Sequence, residues 1–481
     1  MRLVTILLAA LFILGTAAKL RPPEYDEAYS IFLTAGDPRP SWPSGIFHPG
    51  DVRSCYAGRP SPAKIARDLR QGDVHPPLYF WVLEYWRRLV GPGWLAARML
   101  SVLLSVAALA GLAWLAILAE IAPATAMLLA LFSYGFAYTG TVARGFALAQ
   151  LLNISGMALI LSALRGGRQQ GWRPALLGGL SFGAAAFSNY LAVFIGLATL
   201  FWLSLDQKRQ KILPPAALGL AVFLPALIYF FRAQHNARIG QFQKFSLFHA
   251  AALLAKDSGA AMFGGLPVYA GSAGGAVTLA LFIFSAICAV FIVKNWQSGL
   301  SLFALAACAM PAGLLALGLL FDNTPIEIRY LAFAIPFIAL LLAQTLPPSW
   351  RYIFLGLQAC GILGLILAPS TQQPQGLAAR QLRGLNAASA LVLLPFGNDG
   401  VGIPGPFIEA APDDLRLELL TPDAQPDLSR ESRVVLALLP ADDSSKKTGA
   451  DLLAGFNANP CWKNQYATRL LQVFSRTCEN P

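Results

Sequence analysis

Charged side chains are scarce in this 481-residue chain: 13% of it, against 56% hydrophobic residues and a mean hydropathy of +0.56. A soluble domain carries roughly 25% charged residues, so a soluble protein with one anchor is excluded. No Walker, Rossmann or metalloprotease motif occurs, and neither does an internal repeat or a low-complexity segment. Histidine is limited to four residues, of which His48, His235 and His249 lie in polar segments without any metal-ligand spacing. Of six cysteines, Cys288, Cys308 and Cys360 sit inside apolar runs and read as small buried hydrophobes. Cys461 and Cys478 flank a short polar, strand-like stretch and suit a disulfide if that region faces an oxidising compartment. Cys55 has no evident partner.

The net charge of +11 does not make a nucleic-acid surface. The cations come as short clusters between apolar runs, Arg165–Arg168–Arg173 and Lys208–Arg209–Lys211, as topology-setting loops do. What the chain has in abundance is apolar runs, recurring from residue 3 to residue 368, each near the ~20 residues that cross a bilayer as a helix. The fold class is therefore a polytopic α-helical membrane protein.

The positive-inside rule orients it. A first span over 3–20 has its Arg2 end inside, with a leader cleaved near "TAA" as the alternative. Residues 21–96 then form a long outer segment. Its part "HPPLYFWVLEYWRRLVG" is apolar for too few residues to span and reads as an interfacial or re-entrant helix. Further spans follow at 97–119, 122–140, 146–164, two within 174–205, then 212–231, 275–293, 298–320, 329–346 and 351–368, giving about eleven transmembrane helices. Both basic clusters and Lys294 fall inside in this register. Asp26, Glu27, His75, Arg144, Asn189, Tyr190, the 232–274 loop, "NTPIEIRY" and the tail all fall outside. The tail, with runs "ASALVLLPFG" and "SRVVLALLP" between turn-rich acidic stretches, reads as a small C-terminal periplasmic α/β domain. The division is 1–371 for the membrane part and 372–481 for the tail.

Several outer stretches carry chemistry. "RPPEYDEAYSIF" places Glu24, Asp26 and Glu27 at the mouth of the first span. Carboxylates there are costly to bury unless paired. They serve either as a solvated turn or as a general base or cation ligand, one acid tuning the other. In "GDVHPPLYF" the prolines set an extended entry to a helix and leave His75 at its start, incidentally or facing a phosphate. Arg144 in "YTGTVARGFAL" is a snorkelling interfacial arginine or a functional one, the latter favoured because outer cations oppose the usual bias. Glu327, Arg329 and Tyr330 in "NTPIEIRYLAFAIP" make an interfacial ion pair with a belt tyrosine, or a phosphate clamp. Acids near one span and arginines near others suit a reaction in which an acceptor is deprotonated while a phosphate departs.

With "DEAYS", "HPPLYFWVLEYWRRLVG", "LAARMLSVLLSV", "ARGFALAQLL", "FSNYLAVF" and "EIRYLAFAIPFIALLLA" in consistent order over residues 1–346, the chain resembles the bacterial members of the dolichyl-phosphate-mannose protein mannosyltransferase family and their aminoarabinose-transferase relatives, membrane glycosyltransferases of the GT-C fold. The resemblance implies transfer of a sugar from a polyprenyl-phosphate carrier on the periplasmic face of the bacterial inner membrane, usually with inversion. It implies a catalytic base at Asp26 with Glu27 beside it, a donor-phosphate set of His75, Arg98, Arg144, Arg329 and Tyr330, and a cavity including Tyr79, Asn189, Tyr190 and Glu327. Where the family has a tyrosine this chain has Phe146. Some GT-C enzymes use a divalent cation and others do not, so no cofactor is assigned. The implied partners are membrane lipid, a lipid-linked sugar donor and a protein, lipid or glycan acceptor. A flippase of lipid-linked sugars and a non-catalytic envelope assembly factor are the rival readings. Nearly charge-free mid-span positions and the lack of repeats weigh against the first of these.

Overall fold

The computed structural model of the chain describes residues 1–165, 171–234, 243–368, 373–385, 389–396, 402–422, 424–439 and 442–478. Arg168 and His235 lie outside the described residues. The chain divides into two compact units. Met1–Leu20, Pro62–Leu83 and Arg98–Thr371 form the first, and Arg21–Ser61, Glu84–Ala97 and Gln372–Pro481 the second. The second unit thus combines the tail with two pieces of the first outer segment.

The first unit is helical. Among the described residues seven helices are long and apolar enough to cross a membrane: Arg2–Leu20, Trp94–Leu118, Phe146–Arg165, Gly271–Lys294, Ser298–Phe321, Ile328–Thr345 and Pro348–Leu367. An eighth counts if the pair Gln210–Ala221 and Leu224–Gln234, bent by 45°, is one span. The remaining apolar runs are interrupted or short. Residues 122–140 divide into Pro123–Leu131 and Tyr134–Gly140, and 174–205 breaks at Asn189 into Trp172–Ser188 and an apolar helix ending at Ser204. The 45° elbow has a local cause, since Pro225 has no N–H for the preceding turn and crowds its carbonyl.

Lipid gives helices no hydrophobic reason to associate, so close packing holds them together. Where Trp172–Ser188 lies on Leu213–Ala221, a Cβ on Gly179 would collide with the Ala216 carbonyl, and one on Gly219 with that of Leu176. Phe136, Phe182, Phe303, Phe333 and Phe337 are fully buried in the interior of this unit. Cys288 is buried, whereas Cys308 and Cys360 are exposed on their helices, contrary to the sequence reading. An outward face of a spanning helix meets lipid tails and accepts a weakly polar thiol as readily as the interior does.

Hydrogen bonds between helix ends sort into two sets. Arg165 pairs with Glu120 (3.1 Å), Trp202 Nε1 donates to Ser301 Oγ (2.9 Å), and Asn295 Nδ2 donates to the Thr345 carbonyl (2.7 Å). In the register above every one of these joins two inner ends. Tyr190 with Gln234, Gln234 with His75, and the Phe245 N–H with Asp322 (3.2 Å) join outer segments only.

The second unit is built on a six-stranded sheet: β1 (Ile46–Phe47), β2 (Leu391–Pro395), β3 (Arg416–Leu420), β4 (Arg433–Ala437), β5 (Trp462–Ala467) and β6 (Leu471–Arg476), in the order β1-β3-β2-β4-β6-β5. The central β2 runs parallel to β3 and β4, whereas β1, β6 and β5 pair antiparallel with their neighbours. Every residue of β2 is buried, as a strand covered on both faces requires. The Phe456 and Phe474 rings stack at 4.6 Å, and Cys461 and Cys478 are joined by a disulfide beside the β5–β6 hairpin. The edge strand β1 comes from the first outer segment, where Ile46 pairs with Glu418. Arg53 fastens the same segment. It donates to the carbonyls of Ile408 (2.7 Å), Glu409 (2.8 Å) and Ala411 (3.0 Å) and pairs with Asp413. It thereby satisfies orphan acceptors where helix Pro404–Ala410 ends.

Candidate functional site

Asp26 and Glu27 lie in the second unit, and the predicted phosphate-binding and cavity residues lie in the first.

In the second unit the chain leaves the first span through Arg21-Pro22-Pro23, and helix Tyr25–Ala35 starts behind Glu24. Proline disfavours helical geometry in the residue before it, which separates the two helices. Glu24 is the N-cap. The Glu27 carboxylate reaches back to accept the Glu24 N–H at 3.0 Å, and Glu24 forms an ion pair with Arg21. Glu27 is fully buried, and Arg21 and Glu24 are nearly so. Two of the three acids therefore serve the helix start, where carboxylates also meet the positive end of the helix dipole. Asp26 shares that first turn, is half-buried, and takes no part in the cap. The Tyr25 N–H donates to Gln373 Oε1 at 2.5 Å, tying the turn to the start of the tail. At the other end Gly36 adopts φ +91, a left-handed cap that glycine takes without penalty.

A buried cation braces the same helix. Arg87 donates to the carbonyls of Ile31 (3.1 Å) and Tyr56 (2.8 Å) and to Thr34 Oγ1 (2.6 Å). Burial lowers its pKa to about 10, with the charges of Tyr56 and Glu84 working against that shift. Arg88 pairs with Glu84 and donates to the Pro60 carbonyl at 3.1 Å. These two arginines act as ties within the unit.

In the first unit Asp73 and His75 form a pair, Oδ1 to Nδ1 at 2.7 Å, just before helix Leu78–Val90. Burial raises the Asp73 pKa, but the charge and hydrogen bond of His75, the charge of Arg144 and the Val74 N–H outweigh it and hold the carboxyl well below the usual range. Arg144 is buried, with its guanidinium carbon 6.0 Å from the Phe80 ring centroid. The neighbouring Gly145 permits a close approach, because a Cβ there would sit 2.6 Å from the Ser188 carbonyl. Gln234 closes the arrangement. Its Nε2 donates to the carbonyls of Leu69 (2.9 Å) and His75 (3.0 Å), and its Oε1 accepts the Tyr190 hydroxyl at 2.8 Å. His75, Arg144 and Tyr190 are thus gathered around Asp73, a residue that sequence reasoning passed over although it lies two positions before His75. Gln234, at the end of an apolar run, gave no signal in the sequence.

The other predicted residues are placed as follows. Tyr79 is fully buried, its hydroxyl 3.2 Å from Ser101 Oγ. Asn189 caps a short turn by accepting the Leu191 N–H at 3.1 Å. Arg98 donates to the Ala18 carbonyl at 2.8 Å, a cation at the C-terminal end of the first helix. Arg329 pairs with Glu327 and lies 5.3 Å from the Tyr330 ring centroid. The Tyr330 ring lies 6.5 Å from that of Phe146, which brings the segment carrying Arg329 alongside the one carrying Arg144. No group of three or more His, Cys, Asp or Glu able to hold a metal ion occurs among the described residues.

The chain aligns with ArnT from Cupriavidus metallidurans bound to undecaprenyl phosphate at 12% identity and a TM-score of 0.53, over 98% of this chain and 97% of that one. ArnT in the apo state gives 13% identity and a TM-score of 0.50 over the same shares. These are GT-C glycosyltransferases. The chain has the GT-C fold. The arabinofuranosyltransferase AftD from Mycobacteria aligns with all of this chain at 12% identity and a TM-score of 0.51, although the chain spans only 40% of AftD. No family model matches the sequence, and no curated protein matches it. Phe146 is buried, its ring 6.5 Å from that of Tyr330 and 6.0 Å from that of Phe333.

Proposed function

We propose that the chain is a membrane glycosyltransferase that moves a hexosyl or pentosyl group from a polyprenyl-phosphate donor to an acceptor on the periplasmic face, with inversion. The observation that carries this reading is the fold match along the whole chain to ArnT, a protein solved with undecaprenyl phosphate. Asp26 is the general base. It takes the proton from the acceptor hydroxyl or amine while that atom bonds to the anomeric carbon. The bond from that carbon to the phosphate oxygen breaks, and polyprenyl phosphate leaves with the electron pair. Glu27 holds the turn that presents Asp26. His75 and Arg144, pre-ordered around Asp73, receive the departing phosphate charge, with Arg98, Arg329 and Tyr330 as further contacts. Tyr79, Asn189, Tyr190 and Glu327 line the donor cavity. Residues 1–371 form the membrane part and 372–481 the periplasmic domain of a multi-pass inner-membrane protein. The Cys461–Cys478 disulfide suits an oxidising compartment.

The experiment is Asp26→Asn in deletion cells, scored by glycolipid and glycoprotein profiling. Transfer should vanish at unchanged protein level; near-normal glycan in the variant would remove Asp26 from the mechanism. A periplasm-sensitive reporter should be active at the C-terminus and silent at Lys208, and the opposite pattern would reverse the orientation.

A further inference from the structure

The first unit has a second basic feature that the glycosyl-transfer reading does not use. A cavity of about 390 Å³ opens between helix Pro62–Gly72 and helix Leu224–Gln234, lined by Arg70, Pro225, Ile228, Tyr229, Arg232 and Ala233. Arg70 comes from the first of these helices and Arg232 from the second. The Arg70 guanidinium lies 4.1 Å above the Tyr229 ring. The rest of the lining is apolar, and Ile228 and Tyr229 remain 47% and 54% exposed just past the 45° elbow of an apolar helix pair. Two planar guanidinium forks match phosphate oxygens, and an aromatic ring beside exposed aliphatic surface matches the boundary between headgroup and acyl chain.

The walls are also fixed before any ligand arrives. Gln234 is 4% exposed, sits two residues beyond Arg232, and bonds to the carbonyl of Leu69, the residue next to Arg70. A site held open in this way spends little binding energy on ordering itself. We propose that this cavity binds the phosphate of an anionic membrane lipid, with Arg70 and Arg232 as the phosphate ligands and Ile228 and Tyr229 against the upper acyl chains. None of these residues has a role in the proposed transfer, so the inference stands or falls independently of it.

The test uses full-length protein purified from phosphatidylcholine nanodiscs containing phosphatidylglycerol, with retained lipid counted by native mass spectrometry. Wild type should keep phosphatidylglycerol in preference to phosphatidylcholine. Retention should fall about tenfold in Arg70→Gln/Arg232→Gln, while Arg173→Gln, a distant surface change, should leave it unaltered. Arg70→Lys/Arg232→Lys, which keeps the charge and so guards against a folding artefact, should retain an intermediate amount. Equal retention in wild type and the Gln variant, or no preference over phosphatidylcholine, overturns the site. Inorganic phosphate offered in pure phosphatidylcholine discs and followed by ³¹P line broadening separates the sources. Broadening by phosphate without retention of phosphatidylglycerol would overturn the lipid assignment.

Discussion

The turn at residues 21–27 and the turn at residues 73–75 both set carboxylates beside cations, and they spend them differently. At 21–27 Glu24 pairs with Arg21, and Glu27 accepts the backbone N–H of the cap. At 73–75 the carboxylate is itself the hub, holding His75 by direct contact and acting electrostatically with Arg144, which comes from far along the chain. The first arrangement is built from neighbours in sequence. The second is built across the fold and orders cations. Under the proposed roles such a division suits both, because a base must exchange its proton, whereas phosphate ligands must keep their charge and place.

Substitutions within the first turn give the sharpest test of the contrast. Asp26→Asn should lower transfer by on the order of 10²–10⁴-fold, the range for loss of a general base. Glu27→Gln can still accept the cap hydrogen bond and should keep activity within a few-fold. Glu27→Ala should cost ~1 kcal/mol of stability through the lost cap, read as a lower melting temperature in detergent. If Glu27→Gln proved as inactive as Asp26→Asn, the two acids would act together and the contrast with 73–75 would fail.

For the second turn the expected loss is in stability first. Asp73→Asn leaves His75 and Arg144 without their shared anion and should cost ~2 kcal/mol or more. The pH dependence has a defined sign. The folded-state pKa of Asp73 is depressed, so its contribution is fully present above the unfolded value near about 3.9 and is lost as pH falls below it. Wild type and Asp73→Asn should therefore differ in melting temperature at pH 7, and the difference should begin to shrink below about pH 4 and vanish only below the depressed folded-state pKa. A constant difference across that range would mean that packing, and not charge, sets the role of Asp73.

The sequence carried the local parts of this picture and missed the distant ones. Long apolar runs, the Pro-Pro exits after Arg21 and His75, and the two strand-like runs of the tail are local signals, and helices or strands stand at those places. Breaks inside apolar runs left weaker marks, because a turn at Phe132–Ser133 or an elbow at Pro225 interrupts a helix without interrupting hydrophobicity. Partners distant in the chain left none. Nothing near Ile46 announces that it pairs with Glu418, and nothing around Arg87 announces Ile31, Thr34 and Tyr56 as its partners. The acid turn was therefore readable as a candidate, whereas the role of Asp73 depended on contacts that only the fold creates.

The smallest expected effect concerns Arg329, which stands between the two patterns. Like Arg21 it pairs with an acid two or three residues away, Glu327, yet its segment lies beside that of Arg144 through the Phe146–Tyr330 contact. If it belongs with the phosphate set, Arg329→Ala should raise the donor KM about 5–20-fold, and Arg329→Lys should recover part of that, because a point charge replaces a bidentate fork. Glu327→Gln should then weaken donor use less than Arg329→Ala does, since it removes an orienting partner and keeps the cation. If it is an ion pair like that of Arg21, both Arg329 variants and Glu327→Gln should instead leave KM unchanged. A partly exposed pair of this kind contributes only ~0–1 kcal/mol, so melting temperature should barely move in either case. The KM ratio of Ala to Lys therefore decides between the two patterns.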